Sequence, residues 1–175
     1  MTGTARGHYA EDMAKRPTLP DGLVALVPAE DARASAEELA DGRWVVAGRD
    51  ALLVVAADGV AESAMWYQIQ HVRWDGQTRL LTIDWVDPSR PSLAARTATD
   101  DPQGFMADVS AKVTHALVVQ KVWVADSGTR VTASVRRRED GGLFSTLVAD
   151  GPLSAADRRR ADRLEQEVRE GVGLD

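Results

Sequence analysis

The sequence predicts an α+β fold, mostly antiparallel β, and three observations carry that reading. Asp-Gly or Asp-Ser-Gly reversals punctuate the chain at 41–42, 58–59, 75–76, 126–128 and 140–142. The runs between them are β-branched, aromatic or alternating, and two further stretches carry an apolar stripe at helical spacing. Glycine tolerates the positive φ of tight hairpin turns, so Asp-Gly between apolar runs marks strands folding back on one another in a meander.

Residues 1–20 hold few large apolar side chains, two prolines (Pro17, Pro20) and a mixed-charge run. They bury too little to offset their ordering entropy and are expected to form a flexible N-terminal tail, followed by one domain over 21–172. The stretch 32–39 reads two ways. Its Ala, Ser and Glu residues favour a helix, whereas Asp41-Gly42 ahead of Trp44 suggests the first arm of a hairpin. Trp44–Ala47 and Leu52–Val55 read as strands. So does Leu80–Val86, where Leu81, Ile83 and Trp85 share one face and Thr82 and Asp84 the other. Ser92–Thr97, after Pro88 and Pro91, reads as an edge strand.

A helix is predicted from about Pro102, where Phe105, Val109 and Val113 recur at four-residue spacing with Met106 beside them. Leu117–Val124 is apolar on both faces apart from Gln120 and Lys121 and reads as a central strand. Val131, Ala133 and Val135 alternate with Arg130, Thr132, Ser134 and Arg136 in another, and Leu143–Val148 follows the Gly-Gly turn. The C-terminal helix, 154–171, starts at the N-cap Ser154 with Asp157 three residues on. Ala161, Leu164 and Val168 face inward, and opposite charges such as Arg158 with Asp162 decorate the wet face.

At 175 residues, 44% apolar and 27% charged, the chain can bury most of its large apolar side chains in one core. A net charge of −6 argues against a broad grip on nucleic acid or on anionic lipid. Zero cysteines remove disulfides, thiol nucleophiles and thiolate metal sites together. No run of about eighteen apolar residues and no basic-then-apolar leader is present, so no stable membrane insertion is expected and the cytoplasm is the expected compartment. Three lysines (Lys15, Lys112, Lys121) against many arginines, with abundant Ala, Val and Asp, fit a GC-rich bacterial genome.

His8, His71 and His115 lie far apart and form no i, i+4 pair, so no metal site is predicted. The Gly-x-Ser-x-Gly elbow and the Gly-rich phosphate loops are absent, and no cofactor is expected. The acidic pairs Asp84 with Asp87 and Asp100 with Asp101 read as solvated turn formers. Two features remain. The aromatic cluster Met65-Trp66-Tyr67, with Ile69, His71 and Trp74 nearby, could line a ligand or partner groove or pack in the core. Arg136-Arg137-Arg138 and Arg158-Arg159-Arg160 could converge on phosphate or remain solvated. The candidate interaction or ligand surface is therefore Trp66, Tyr67, His71, Arg136 and Arg138.

Ala40 to Leu52, the Trp-x-x-Ile-x-x-Val-x-Trp-Asp run over 66–75 and the passage from Phe105 to Val119 with Val113-Thr114 resemble a family of actinobacterial proteins with a pleckstrin-homology-like (PH-like) or GRAM-like fold. The resemblance covers roughly residues 23–170. It implies a bent, partly open barrel with one mid-chain helix plugging one end and a C-terminal helix, and it implies that 32–39 is a first strand pairing with 44–48. It brings no catalytic residue set. Lipid-binding pleckstrin domains hold phosphoinositide with lysines and arginines of the first hairpin, whereas here Asp41 and Asp50 flank only Arg43 and Arg49, which argues against lipid binding.

The expected function is a non-catalytic cytoplasmic protein-interaction module with a protein partner and no nucleic acid. Two other readings stand beside it. One is a small hydrophobic-ligand carrier with a cavity between a curved sheet and the C-terminal helix, near Trp66 and Tyr67. The other is an enzyme with a dispersed, motif-free site using His71, His115 or a carboxylate.

Overall fold

The computed structural model describes residues 17–174. Ten strands form three antiparallel sheets. The first, in order β1-β2-β3-β4, contains β1 (Ala36–Glu38), β2 (Trp44–Ala47), β3 (Ala51–Ala56) and β4 (Gly59–Met65). The second, β5-β6-β7, contains β5 (Ile69–Asp75), β6 (Leu80–Trp85) and β7 (Leu93–Arg96). The third, β10-β9-β8, contains β8 (Leu117–Val124), β9 (Arg130–Arg137) and β10 (Leu143–Ala149). A short helix α1 (Asp21–Val24) precedes them, α2 (Gln103–Ala116) links the second and third sheets, and α3 (Ala155–Glu170) ends the chain's regular structure. The predicted class, α+β and mostly antiparallel with a mid-chain and a C-terminal helix, is the one observed, and no barrel closes.

The first two sheets join along one side. Leu39 bridges Thr97, Ala40 N–H donates to the Arg96 carbonyl, and Ala98 N–H donates to that of Glu38. Between them lies the main core: Leu39, Val45, Leu52 and Val54 from one sheet, Ile69, Leu81, Ile83 and Trp85 from the other. The predicted stripe of α2 plugs this space with Phe105 and Val109, both at 0% exposure.

The other face of the first sheet is also covered, by Leu19, Val27 and α1 over Val46, Leu53 and Val55. The tail boundary at residue 20 therefore moves. Leu19 is buried, Thr18 bridges Ser35, and Ala36 N–H donates to the Pro17 carbonyl. The rest of the expected tail, 1–16, lies outside the described residues.

Four hairpin glycines adopt the predicted positive φ: Gly42, Gly128 and Gly141, between 84° and 87°, and Gly59 at 147°. The reversal at Asp75-Gly76 works differently. Asp75 accepts from Gln77 N–H, and the positive φ falls on Arg79, whose carbonyl and guanidinium are tied to Thr97 and Ala98. The ambiguous stretch 32–39 divides: a 3-10 turn over Ala29–Asp31 leads to a strand restricted to Ala36–Glu38, which pairs with β2 as the resemblance implies.

The expectation that Leu117–Val124 is central is overturned. β8 is an outer strand, with Val122 and Val124 half-exposed, and β9 is the central one. β9 looked half-solvated because it alternates polar with apolar. Its polar face is nevertheless buried at Ser134 and Arg136, since Ser134 bonds Thr146 and Arg136 bonds backbone carbonyls. Hydrogen-bonded polar groups can be buried at little net penalty, and residue polarity does not announce it. The opposite face of β9, Ala133 and Val135, packs on Val168 and Leu164 of α3.

A basic and aromatic cleft as the candidate functional site

Three elements converge where α2 ends. The β2–β3 turn is fixed first. Asp31, 5% exposed, accepts from Arg49 N–H at 2.7 Å, and Gly48 lies so close that a Cβ there would come within 2.6 Å of the Ala51 carbonyl and 2.7 Å of the Asp31 carboxylate. Trp66, opening the 3-10 turn Trp66–Gln68, donates its indole N–H to the Gly48 carbonyl at 3.1 Å, locking the two turns together. The third element is the β9–β10 hairpin, carrying Arg137, Arg138 and Phe144.

The hairpin is anchored from below by Arg136. This side chain is 1% exposed and donates to the carbonyl of Ile69 at 3.1 Å, to that of Tyr67 at 3.5 Å, to Gln70 Oε1 and to Ser134 Oγ. Burial pushes its guanidinium down to about 10, still far above neutral pH, so it remains charged. Its partners are all neutral oxygens. Arg136 thereby clamps the third sheet to the start of β5.

Above it opens a cleft of about 390 Å³, rimmed by Arg49, Lys112, Arg137 and Arg138 and floored by Trp66 and Tyr67. Its volume lies within the range of small-molecule pockets, roughly 300–1,000 Å³. Lys112 Nζ stands 5.6 Å from the Trp66 ring centre, and the Arg138 guanidinium 4.8 Å from that of Phe144. Arg137 reaches His115, with Nη1 3.2–3.3 Å from both ring nitrogens and 3.4 Å from the backbone carbonyl. Two carboxylates, Asp50 and Glu139, also line the cleft. Among the described residues only Arg49, 3.8 Å from Asp50, has a carboxylate within 4 Å; Lys112, Arg137 and Arg138 have none. Among the described residues the cleft thus gathers four cations against two carboxylates on a chain that is acidic overall.

Tyr67 is shared with a second, more apolar groove of about 520 Å³ beside Trp85, Pro88, Phe144 and Val148. Tyr67 meets Phe144 edge-to-face at 5.4 Å, and Tyr67 lines both spaces whereas Phe144 lines only the second.

Of the predicted surface residues, Trp66, Tyr67 and Arg138 come together in the cleft. Arg136 does not face it but lies buried beneath. His71 is exposed on β5, away from the cleft, in a smaller depression with Gln70 and Gln120. The two arginine triplets do not converge: Arg160 stacks on Trp123 at 4.3 Å, on the α3 side of the third sheet. The candidate surface left out Arg49, Lys112, His115 and Arg137, although Arg137 stood in the arginine triplet and His115 in the enzyme reading. Lys112 and His115, three residues apart on a helix, share a face and were the available signal. Arg49 was visible only as a turn residue, because the contact that brings that turn to α2 is long-range. No cluster of three His, Asp or Glu suited to a metal occurs among the described residues, and no helix there is long and apolar enough to cross a membrane.

No protein-family model matches the chain, and a search of curated proteins returns no significant match.

Proposed function

We propose that this chain is a non-catalytic, cytoplasmic protein-interaction module on a PH-like framework, and that it docks a carboxylate-bearing segment of its partner in the cleft between α2 and the β9–β10 hairpin. The framework reading is supported by seven antiparallel strands in two sheets, joined at β1 and β7 and plugged by the helix that follows. The third sheet and α3 are additions to it, and the β9–β10 hairpin of that sheet supplies one wall of the cleft. The observation that carries the docking site is the convergence of Lys112, Arg137 and Arg138, without described carboxylate partners, around Tyr67. Guanidinium forks match carboxylate geometry, and aromatic side chains supply contact area at low entropic penalty.

An NMR titration with a hexaglutamate peptide tests it. Shifts should concentrate at Lys112, His115, Arg137 and Arg138, weaken as salt rises, and vanish in Arg137→Glu combined with Arg138→Glu. Shifts spread over the surface, or none at millimolar peptide, would refute the docking site.

The apolar groove beside Trp85 and Phe144 favours a second reading, a carrier of a small hydrophobic ligand. Such a ligand would lie on the inner side of the third sheet. The face toward α3 is filled by Leu143, Leu147 and Leu164, so the cavity is not the one expected between sheet and C-terminal helix.

A further inference from the structure

Outer strands expose unpaired backbone groups, and proteins ordinarily protect them with charge, proline or bulges. Six strands here are outermost in their sheets: β1, β4, β5, β7, β8 and β10. β1 carries Glu37 and Glu38, β4 Glu62, β5 Arg73, β7 Arg96 and β8 Lys121. Register irregularities also interrupt the pairings of β4, β5 and β8. β10 has none of these devices. Its seven residues, Leu-Phe-Ser-Thr-Leu-Val-Ala, contain no charge and no proline, its pairing with β9 runs without a slip, and every residue is half-buried.

The register shows which groups are free. Arg138 N–H donates to the Gly142 carbonyl and Asp150 N–H to that of Arg130, so in this hairpin the even-numbered residues of β10 bond β9. Leu143, Ser145, Leu147 and Ala149 therefore point their N–H and C=O groups outward, and no strand receives them among the described residues.

We infer that β10 is completed by β10 of a second copy of this chain, running antiparallel about a two-fold axis at Thr146. In that register Leu143 exchanges hydrogen bonds with Ala149 of the second copy, and Ser145 with Leu147. On the inner face Phe144 opposes Val148 and Thr146 opposes itself, and aromatic with β-branched and Thr with Thr are favourable cross-strand pairs. No like charges meet along the strand. At each end Asp150 of one copy faces Gly142 of the other, and Arg138 stands next in that row; with no side chain at Gly142, the guanidinium can extend toward the carboxylate. The arrangement is isologous and closes at two copies, as dimer interfaces commonly do. Apart from Arg138, which also rims the proposed docking cleft, it uses none of that cleft's lining residues.

The absence of cysteine makes the test direct. Multi-angle light scattering of the full chain at about 50 µM, where mass action favours association, should give twice the 18.9 kDa chain mass. Thr146→Lys, which sets like charges on the axis, should give a monomer with an unchanged circular dichroism spectrum. Should that variant fail to fold, Thr146→Cys decides. Facing residues in a non-hydrogen-bonded pair have Cα atoms about 4.5 Å apart, within disulfide reach, so mild oxidation should yield a covalent dimer. Val122→Cys on β8, as a control, should remain uncrosslinked. A wild-type monomer at that concentration, or equal crosslinking at 122 and 146, overturns the proposal.

Discussion

Arg136 shows how much a single residue can hold. Its guanidinium lies buried without a carboxylate, satisfied by two backbone carbonyls, Gln70 and Ser134. Its net contribution is the difference between those bonds and the guanidinium's desolvation. Leaving buried acceptors unpaired costs about 1–3 kcal/mol, so Arg136→Met should lose about 2 kcal/mol. For a domain of this size that is a fall of several degrees in melting temperature, roughly 2–4 °C per kcal/mol. An unchanged melting temperature would mean the bonds only balance the desolvation.

Glu37, 1% exposed on β1, makes a pH prediction. Burial raises its carboxyl above the usual 4.5, partly opposed by the Thr99 hydroxyl it accepts from. The folded state therefore holds this proton more tightly than the unfolded chain. The resulting stabilisation is full below 4.5 and is lost as pH rises through the raised folded value. Glu37→Gln cannot ionise and keeps an acceptor for Thr99. Relative to wild type, its melting temperature should improve across that window and stay constant above it. A difference independent of pH would show that the carboxylate is not destabilised by burial.

At the scale of elements, α3 is the simplest case because its start is local. Ser154 Oγ accepts from Asp157 N–H at 3.1 Å and donates to the Asp157 carboxylate at 2.6 Å, the cap predicted from residue types alone. Ser154→Ala should cost about 1 kcal/mol, read as a lower urea midpoint at unchanged slope. A changed slope would instead mean that the exposed surface on unfolding had altered. α2 begins at Pro102 with no side-chain cap and a weaker stripe, so its position depends on Phe105 and Val109 entering the core.

Over the whole molecule, the first sheet is covered on both faces, and its outer cover includes residues ahead of the expected domain boundary. A chain beginning after Pro20 should therefore be less stable than one beginning at Pro17. Burying a leucine contributes about 1.5–3 kcal/mol, so the melting points should differ by several degrees. Equal melting points would show that Leu19 contributes nothing.

The fold was legible where its causes are local. Positive-φ glycines, two-residue alternation over 80–86 and 131–135, the 3.6-residue stripe from Phe105 and the Ser154 cap each act through neighbours a few residues away. Strand rank was not legible: β8 looked central because it is apolar on both faces, yet it is outermost. β9 looked half-solvated, yet on its polar face Ser134 and Arg136 are buried and hydrogen-bonded.

The candidate site followed the same division. Trp66, Tyr67 and Arg138 were marked by residue type. That Arg136 would lie beneath them, that His71 would stand apart, and that Arg49, Lys112 and Arg137 would join them rested on contacts between residues 18 to 69 positions apart. By itself the sequence determined seven of the strands, most of the turns and the two long helices, because short-range sterics and periodic burial choose them; β4 and β5 were not read as strands, and β1 stayed ambiguous with a helix. Tertiary structure alone decided which charges were buried and which were gathered around a cleft, because that depends on which distant oxygens each guanidinium meets once the three sheets pack.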